Sequence, residues 1–179
     1  TQTAPMTLIV TAFAPVLDVR ASLTPRLRTD AGDTTVLLID LGRGRNRLGG
    51  SILAQVYGEI GDKAPDLDDP ALLSAAFDLV QSWNAQGRVL ACHDRSDGGA
   101  FAALCEMAFA GHCGLDVFGL DMRALFAEEL GLLLQVHAAD SPALIEQARA
   151  AGLSAQTVGA PRNDDRIVFA QGGYTLLNQ

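Results

Sequence analysis

Residues 89–111 read VLACHDRSDGGAFAALCEMAFAG, and this stretch decides the fold. Val89 to Cys92 is a short apolar run suited to a buried strand. Ala100 to Ala110 is a nearly all-apolar helix closed by Gly111, and Gly98-Gly99 punctuates the join between them. A strand that hands polar residues directly to a helix start is half of an alternating strand and helix layout.

The flanking sequence extends that layout in both directions. Val36 to Leu41 is a strand interrupted only by Asp40, and the glycine-rich Gly42 to Gly50 follows it. A helix is expected from Ser51 to Ile60. Lys63 to Pro70 reads as a loop in which Asp69-Pro70 supplies an N-cap and a first-turn proline. The next helix then spans Ala71 to Gln86, stopped by Gly87, with Leu72, Leu73, Ala76, Phe77, Val80 and Trp83 assigned to its buried face. Leu115–Phe118, Leu132–Val136, Thr157–Val158 and Ile167–Phe169 read as strands. Asp121–Glu129 and Ser141–Ala151 read as helices. Thr7 to Val19, rich in β-forming residues, is expected as a further strand in which Pro15 marks an edge or bulge, and Thr24-Pro25 as a turn. Gly172-Gly173 is expected in a loop or tail. The pattern predicts one layered α/β (α+β) domain with a mixed sheet over residues 1–179.

Composition narrows the function classes. The chain has 179 residues, 49% of them hydrophobic and 19% charged, enough for one real core. A formal net charge of −8 disfavours nucleic acid and anionic membranes as partners, because both require an excess of Lys and Arg. No apolar stretch approaches the roughly 18 residues of a membrane-spanning helix. Cys92, Cys105 and Cys113 have neither disulfide-framework nor zinc-pair spacing, so all three read as structural thiols and a reducing, cytoplasmic setting is expected. Cys105, His112 and Cys113 do not form a usual zinc ligand set.

Two loops are candidates for chemistry. In the first, Gly44, Gly49 and Ser51 occupy the glycine and hydroxyl positions of a Walker A loop, but Gly50 stands where the lysine belongs, so the glycines read as packing and turning residues. Arg43, Arg45 and Arg47 in this loop are available to a phosphate or an acidic surface, or are simply solvated. In the second loop, Gly98 and Gly99 present backbone amides at a helix start, a natural place for an anion. Asp94 would repel bare phosphate but binds Mg²⁺, which in turn bridges phosphate oxygens. Ser96 can donate to a nucleotide oxygen, and Asp97 is placed to cap the helix. Against this stands the reading that Asp94, Ser96 and Asp97 form only a hydrogen-bonded turn, and local physics leaves the two even. His93 reads as a structural histidine. One of Glu128 and Glu129 is placed to point inward, with two exposed carboxylates as the alternative.

The segments Pro5-Met6-Thr7-Leu8, Asp18-Val19-Arg20, Leu23-Thr24-Pro25, Leu38-Ile39-Asp40-Leu41-Gly42, Leu53-Ala54-Gln55-Val56-Tyr57, HDRSDGG at 93–99, EMAFAGHCG at 106–114 and Glu128-Glu129-Leu130-Gly131 resemble the large, single-chain formylglycinamide ribonucleotide amidotransferases, the phosphoribosylformylglycinamidine synthases. The resemblance runs over nearly the whole chain and places it as the C-terminal domain of the second synthetase half, similar to the C-terminal domain of aminoimidazole ribonucleotide synthetase. It implies a fragment of a multidomain ligase of purine biosynthesis, inactive alone, and the start at Thr1 agrees with such a piece. That enzyme uses ATP, Mg²⁺ and glutamine to convert formylglycinamide ribonucleotide to its amidine, and the partners implied are its remaining synthetase and glutaminase domains. The resemblance makes Asp94 a Mg²⁺ ligand and Ser96 an ATP contact. One departure is Ala127, where the family often has Asn, which puts a polar role there in doubt. A non-catalytic bracing domain is the alternative reading.

Overall fold

The computed structural model describes residues 9–16, 18–61, 63–171 and 174–178. Seven strands form one mixed sheet: β1 (Thr34–Asp40), β2 (Val89–Asp94), β3 (Gly114–Val117), β4 (Gly131–His137), β5 (Ser154–Arg162), β6 (Ile167–Gln171) and β7 (Tyr174–Asn178). Their order is β2-β4-β1-β5-β3-β6-β7. Among the described residues only the β3–β6 pairing is parallel.

The alternation along β1 explains the layers. Val36 and Leu38 point to one face, where α3 (Gly99–Gly111) and α4 (Met122–Phe126) cover them. Leu37 and Ile39 point to the other, beneath α2 (Pro70–Ala85) and α5 (Ser141–Ala150). A strand buried on both faces must be apolar throughout its middle, which is what residues 36–39 supply. On the first face Ala100, Ala103, Leu104 and Met107 of α3 pack against β1, β2 and β4. The small residues let that helix lie close to the sheet.

Several elements differ from the sequence expectation. Residues 9–16 form no strand, and Phe13 is 92% exposed. β-Propensity needs a neighbouring strand to act on, and the edge of β2 receives only a contact from the next loop, Cys92 N to Thr24 O at 2.9 Å. Thr7, Leu8, Leu17 and Gly172-Gly173 lie outside the described residues. The helix expected over 51–60 is confined to α1 (Ile52–Val56) and is followed by Gly58 at φ +70°. α2 begins as expected, with Asp69 accepting from Ala71 N at 3.0 Å and Pro70 in the first turn. Its buried stripe is Leu72, Ala76, Val80 and Trp83, while Leu73 and Phe77, one residue round the helix, are exposed. Among the described residues no helix is long and apolar enough to cross a membrane.

Candidate functional site

The carboxyl ends of β1 and β2 and the amino end of β4 meet at one edge of the sheet, where Asp40, Asp94 and Gly131 lie in adjacent registers. Arg95 is the next residue after β2 and turns inward, its side chain 1% exposed. Its Nε donates to Glu129 O at 2.6 Å and its terminal nitrogen to Leu130 O at 3.1 Å and to the Asp40 carboxylate. Asp40 also accepts from Gly42 N at 3.0 Å and Gly44 N at 2.6 Å, which folds the glycine-rich loop back over β1. A Cβ on Gly131 would lie 2.7 Å from Ile39 O and 3.2 Å from Arg95 Nε, so only glycine admits the guanidinium.

The Glu128-Glu129 pair completes this frame. Glu129 is fully buried and grips Arg47 three times: the backbone N at 3.0 Å, Nε at 2.7 Å and a terminal nitrogen at 2.8 Å. Arg47 also reaches Asp68 at 3.0 Å. The Glu128 carboxylate accepts from Ile52 N and from Gly98 N, both at 2.8 Å. It thus ties the start of α1 to the start of α3. The inward reading holds for Glu129, while Glu128 bridges two loops instead of projecting freely.

The start of α3 needs its glycines. Gly98 has φ +81° and is the N-cap, and Gly99 has φ +69° with a would-be Cβ 2.6 Å from Leu125 O. Asp97 therefore does not cap the helix as expected: Gly98 occupies that position without a side-chain bond, and Glu128 supplies the carboxylate. The anion anticipated beside these amides is a side chain of the protein itself.

Asp94 and Ser96 behave differently from Arg95 between them. The Asp94 side chain is 71% exposed, with Oδ1 3.2 Å from His93 Nδ1 and no arginine partner among the described residues. Ser96 is exposed, and its hydroxyl bonds to no protein group among the described residues, although its carbonyl accepts from Gly99 N at 2.9 Å. His93 is held structurally, Nδ1 against Asp94 O at 2.7 Å and Nε2 against Glu106 Oε2 at 3.0 Å. A shallow cavity of about 350 Å³ beside Asp94 is lined by Leu23, Pro25, Cys92, His93 and Leu132.

The other candidates are absorbed by structure. Ser51 donates to Leu48 O at 2.7 Å and caps α1 by accepting from Ala54 N at 3.2 Å. Arg45 pairs with Asp68. Ala127 is fully buried, with no polar atom in its side chain to act. Burial, aided by the Asp94 carboxylate, pushes the Cys92 thiol up to about 11, and burial with Glu106 does the same for Cys105. Burial also raises Cys113, and His112 adopts the left-handed conformation that ends α3. Groups held as thiols are poor nucleophiles and poor metal ligands.

Arg95 and Asp40 escaped the sequence reading. The signal that could have found Arg95 is two-residue alternation continued beyond β2, which turns it opposite to Asp94.

A family model described as AIR synthase related protein, C-terminal domain, matches residues 30–170. The chain belongs to this family. The fold is similar to that of Thermotoga maritima PurL complexed with ATP, with a TM-score of 0.71 and 12% identity over 90% of this chain and 27% of that one. The same protein complexed with FGAR matches with a TM-score of 0.67 and 16% identity, covering 89% and 29%. HypE of E. coli, a hydrogenase maturation protein, matches with a TM-score of 0.54 and 21% identity, covering 79% and 48%. These likenesses establish the AIR synthase related C-terminal fold, and the chain spans about a quarter of the length of the PurL chains.

Proposed function

We propose that this domain lends a Mg²⁺–ATP loop to an ATP-dependent ligase of purine biosynthesis, the formylglycinamide ribonucleotide amidotransferase type, whose other domains complete the site. On this reading the 179 residues are one domain of a larger cytoplasmic polypeptide, inactive when isolated. ATP activates an amide oxygen, and ammonia from glutamine displaces the phosphate to give the amidine.

One observation carries the reading: at a loop otherwise locked by Arg95, Glu128 and Gly98, the Asp94 carboxylate and Ser96 hydroxyl are left pointing to solvent. The donor chemistry suits magnesium, which takes hard oxygens and is commonly held by one or two carboxylates together with substrate phosphates and water. Asp94 would hold the ion, and the ion would neutralise charge on the transferring phosphoryl group. Ser96 would donate to a nucleotide oxygen, and Arg95 keeps both side chains at the sheet edge. Among the described residues no three His, Cys, Asp or Glu side chains gather into a metal cluster, and on this reading phosphate oxygens, water and residues of other domains would complete the shell. The ATP and FGAR complexes of PurL lend support by fold.

The rival reading is a bracing domain, favoured by the exposed apolar residues Val56, Tyr57 and Ile60 at and after α1. Steady-state turnover of the native polypeptide separates the two. Asp94→Asn should slow ATP-dependent amidine formation by orders of magnitude and leave glutamine hydrolysis able to proceed. Near-normal synthetase rates would favour the brace.

A further inference from the structure

A second cavity, of about 500 Å³, opens where the glycine-rich loop meets Gly61, Lys63 and the N-terminal turn of α4. Four of its lining side chains are cationic: Arg45, Arg47, Lys63 and Arg123. The whole chain has only 13 Lys and Arg against 21 Asp and Glu, and Lys63 is its single lysine. Nearly a third of the positive charge of an acidic protein is therefore gathered around one hollow.

The walls are fixed by backbone contacts. Gly49 N donates to Lys63 O and Gly50 N to Ile60 O, both at 2.7 Å. Gly49 and Gly61 lie face to face, since a Cβ on Gly49 would meet Lys63 C at 2.4 Å and one on Gly61 would meet Gly49 Cα at 2.9 Å. The two loops are thus zipped together with Lys63 at the seam.

The four cations do different work. Arg47 is neutralised by Glu129 and Arg45 by Asp68, which also holds Arg47. The side chains of Lys63 and Arg123 make no ion pair or hydrogen bond among the described residues, although both backbone carbonyls accept one. Two cationic side chains without a partner among the described residues, brought from separate segments into one hollow and flanked by two anchored guanidiniums, match a dianion carried on a small molecule.

We propose that this cavity is an anion subsite for a phosphate monoester, with Lys63 and Arg123 as its principal ligands. Its volume lies within the range that holds a sugar phosphate. Its lining shares no residue with the cavity beside Asp94, and its presence does not depend on whether Asp94 binds a metal.

Calorimetric titration of the full chain at low ionic strength, with inorganic phosphate and separately with ribose 5-phosphate, tests it. The expected result is saturable one-to-one binding of ribose 5-phosphate, weakened on the order of tenfold or more in the double variant Lys63→Gln, Arg123→Gln and unchanged in Arg149→Gln. Neither the Lys63 nor the Arg123 side chain has a partner among the described residues, so the double variant should melt as the parent does, and the melt is read alongside. Absence of saturable binding, an equal loss in Arg149→Gln, or preference for a polyglutamate peptide over both phosphates would overturn the assignment.

Discussion

Asp94 and Arg95 are adjacent in sequence and opposite in fate. The carboxylate is 71% exposed and the guanidinium beside it 1% exposed, donating to two backbone carbonyls and a buried aspartate. The same division runs through the whole edge of the sheet. Asp40, Arg47, Arg95 and Glu129 are consumed in holding loops together, whereas Asp94 and Ser96 are held in place by that frame and offered outward. A polar motif of seven residues thus contains both a scaffold and what the scaffold presents, and burial separates them.

The comparison breaks most visibly at Arg95. Arg95→Leu should cost about 3–5 kcal/mol in denaturant unfolding, because it strands the buried Asp40 carboxylate without its counter-charge. The double variant Asp40→Asn, Arg95→Leu should recover part of that loss, as expected for groups coupled in one network. A cost for Arg95→Leu below 0.5 kcal/mol would erase the distinction between the two residues.

Glu128 sharpens it at intermediate size. Glu128→Ala removes the acceptor shared by Ile52 N and Gly98 N, and should cost about 1–3 kcal/mol, the penalty of leaving partly buried donors unpaired. Hydrogen exchange at the Gly98 and Ile52 amides should quicken together. Exchange at one without the other would deny that Glu128 ties the two helix starts.

The smallest effect is expected at the exposed pair. Ser96→Ala and Asp94→Asn should each alter unfolding stability by no more than about 0.5 kcal/mol, since neither side chain is built into the fold. A loss of several kcal/mol in either would move that residue into the scaffold.

The parts of the fold legible in the sequence were those with local determinants. The continuous apolar run of β1, the Asp69-Pro70 start of α2 and the Gly98-Gly99 break before α3 each carry their instruction within a few residues. Residues 9–16 misled because strand propensity without a partner strand forms nothing. The helices α1 and α4 are shorter than expected: Gly58 at φ +70° follows α1, and Glu129 turns inward just past the end of α4 to bond Arg47. Asp94 and Ser96 are proposed as site residues on residue chemistry and the HDRSDGG resemblance, and what the structure adds is that both are exposed. The burial of Arg95 and its bond to Asp40, 55 residues away in sequence, exist only once β1, β4 and β2 are laid side by side.

The most direct test is the affinity of the native polypeptide for Mn²⁺, a paramagnetic substitute for Mg²⁺, followed by electron paramagnetic resonance in the presence of ATP. Wild type should bind the ion in a nucleotide-dependent manner, and Asp94→Asn, equally well folded, should weaken that binding by about tenfold or more. Identical Mn²⁺ binding curves for the two proteins would contradict the account.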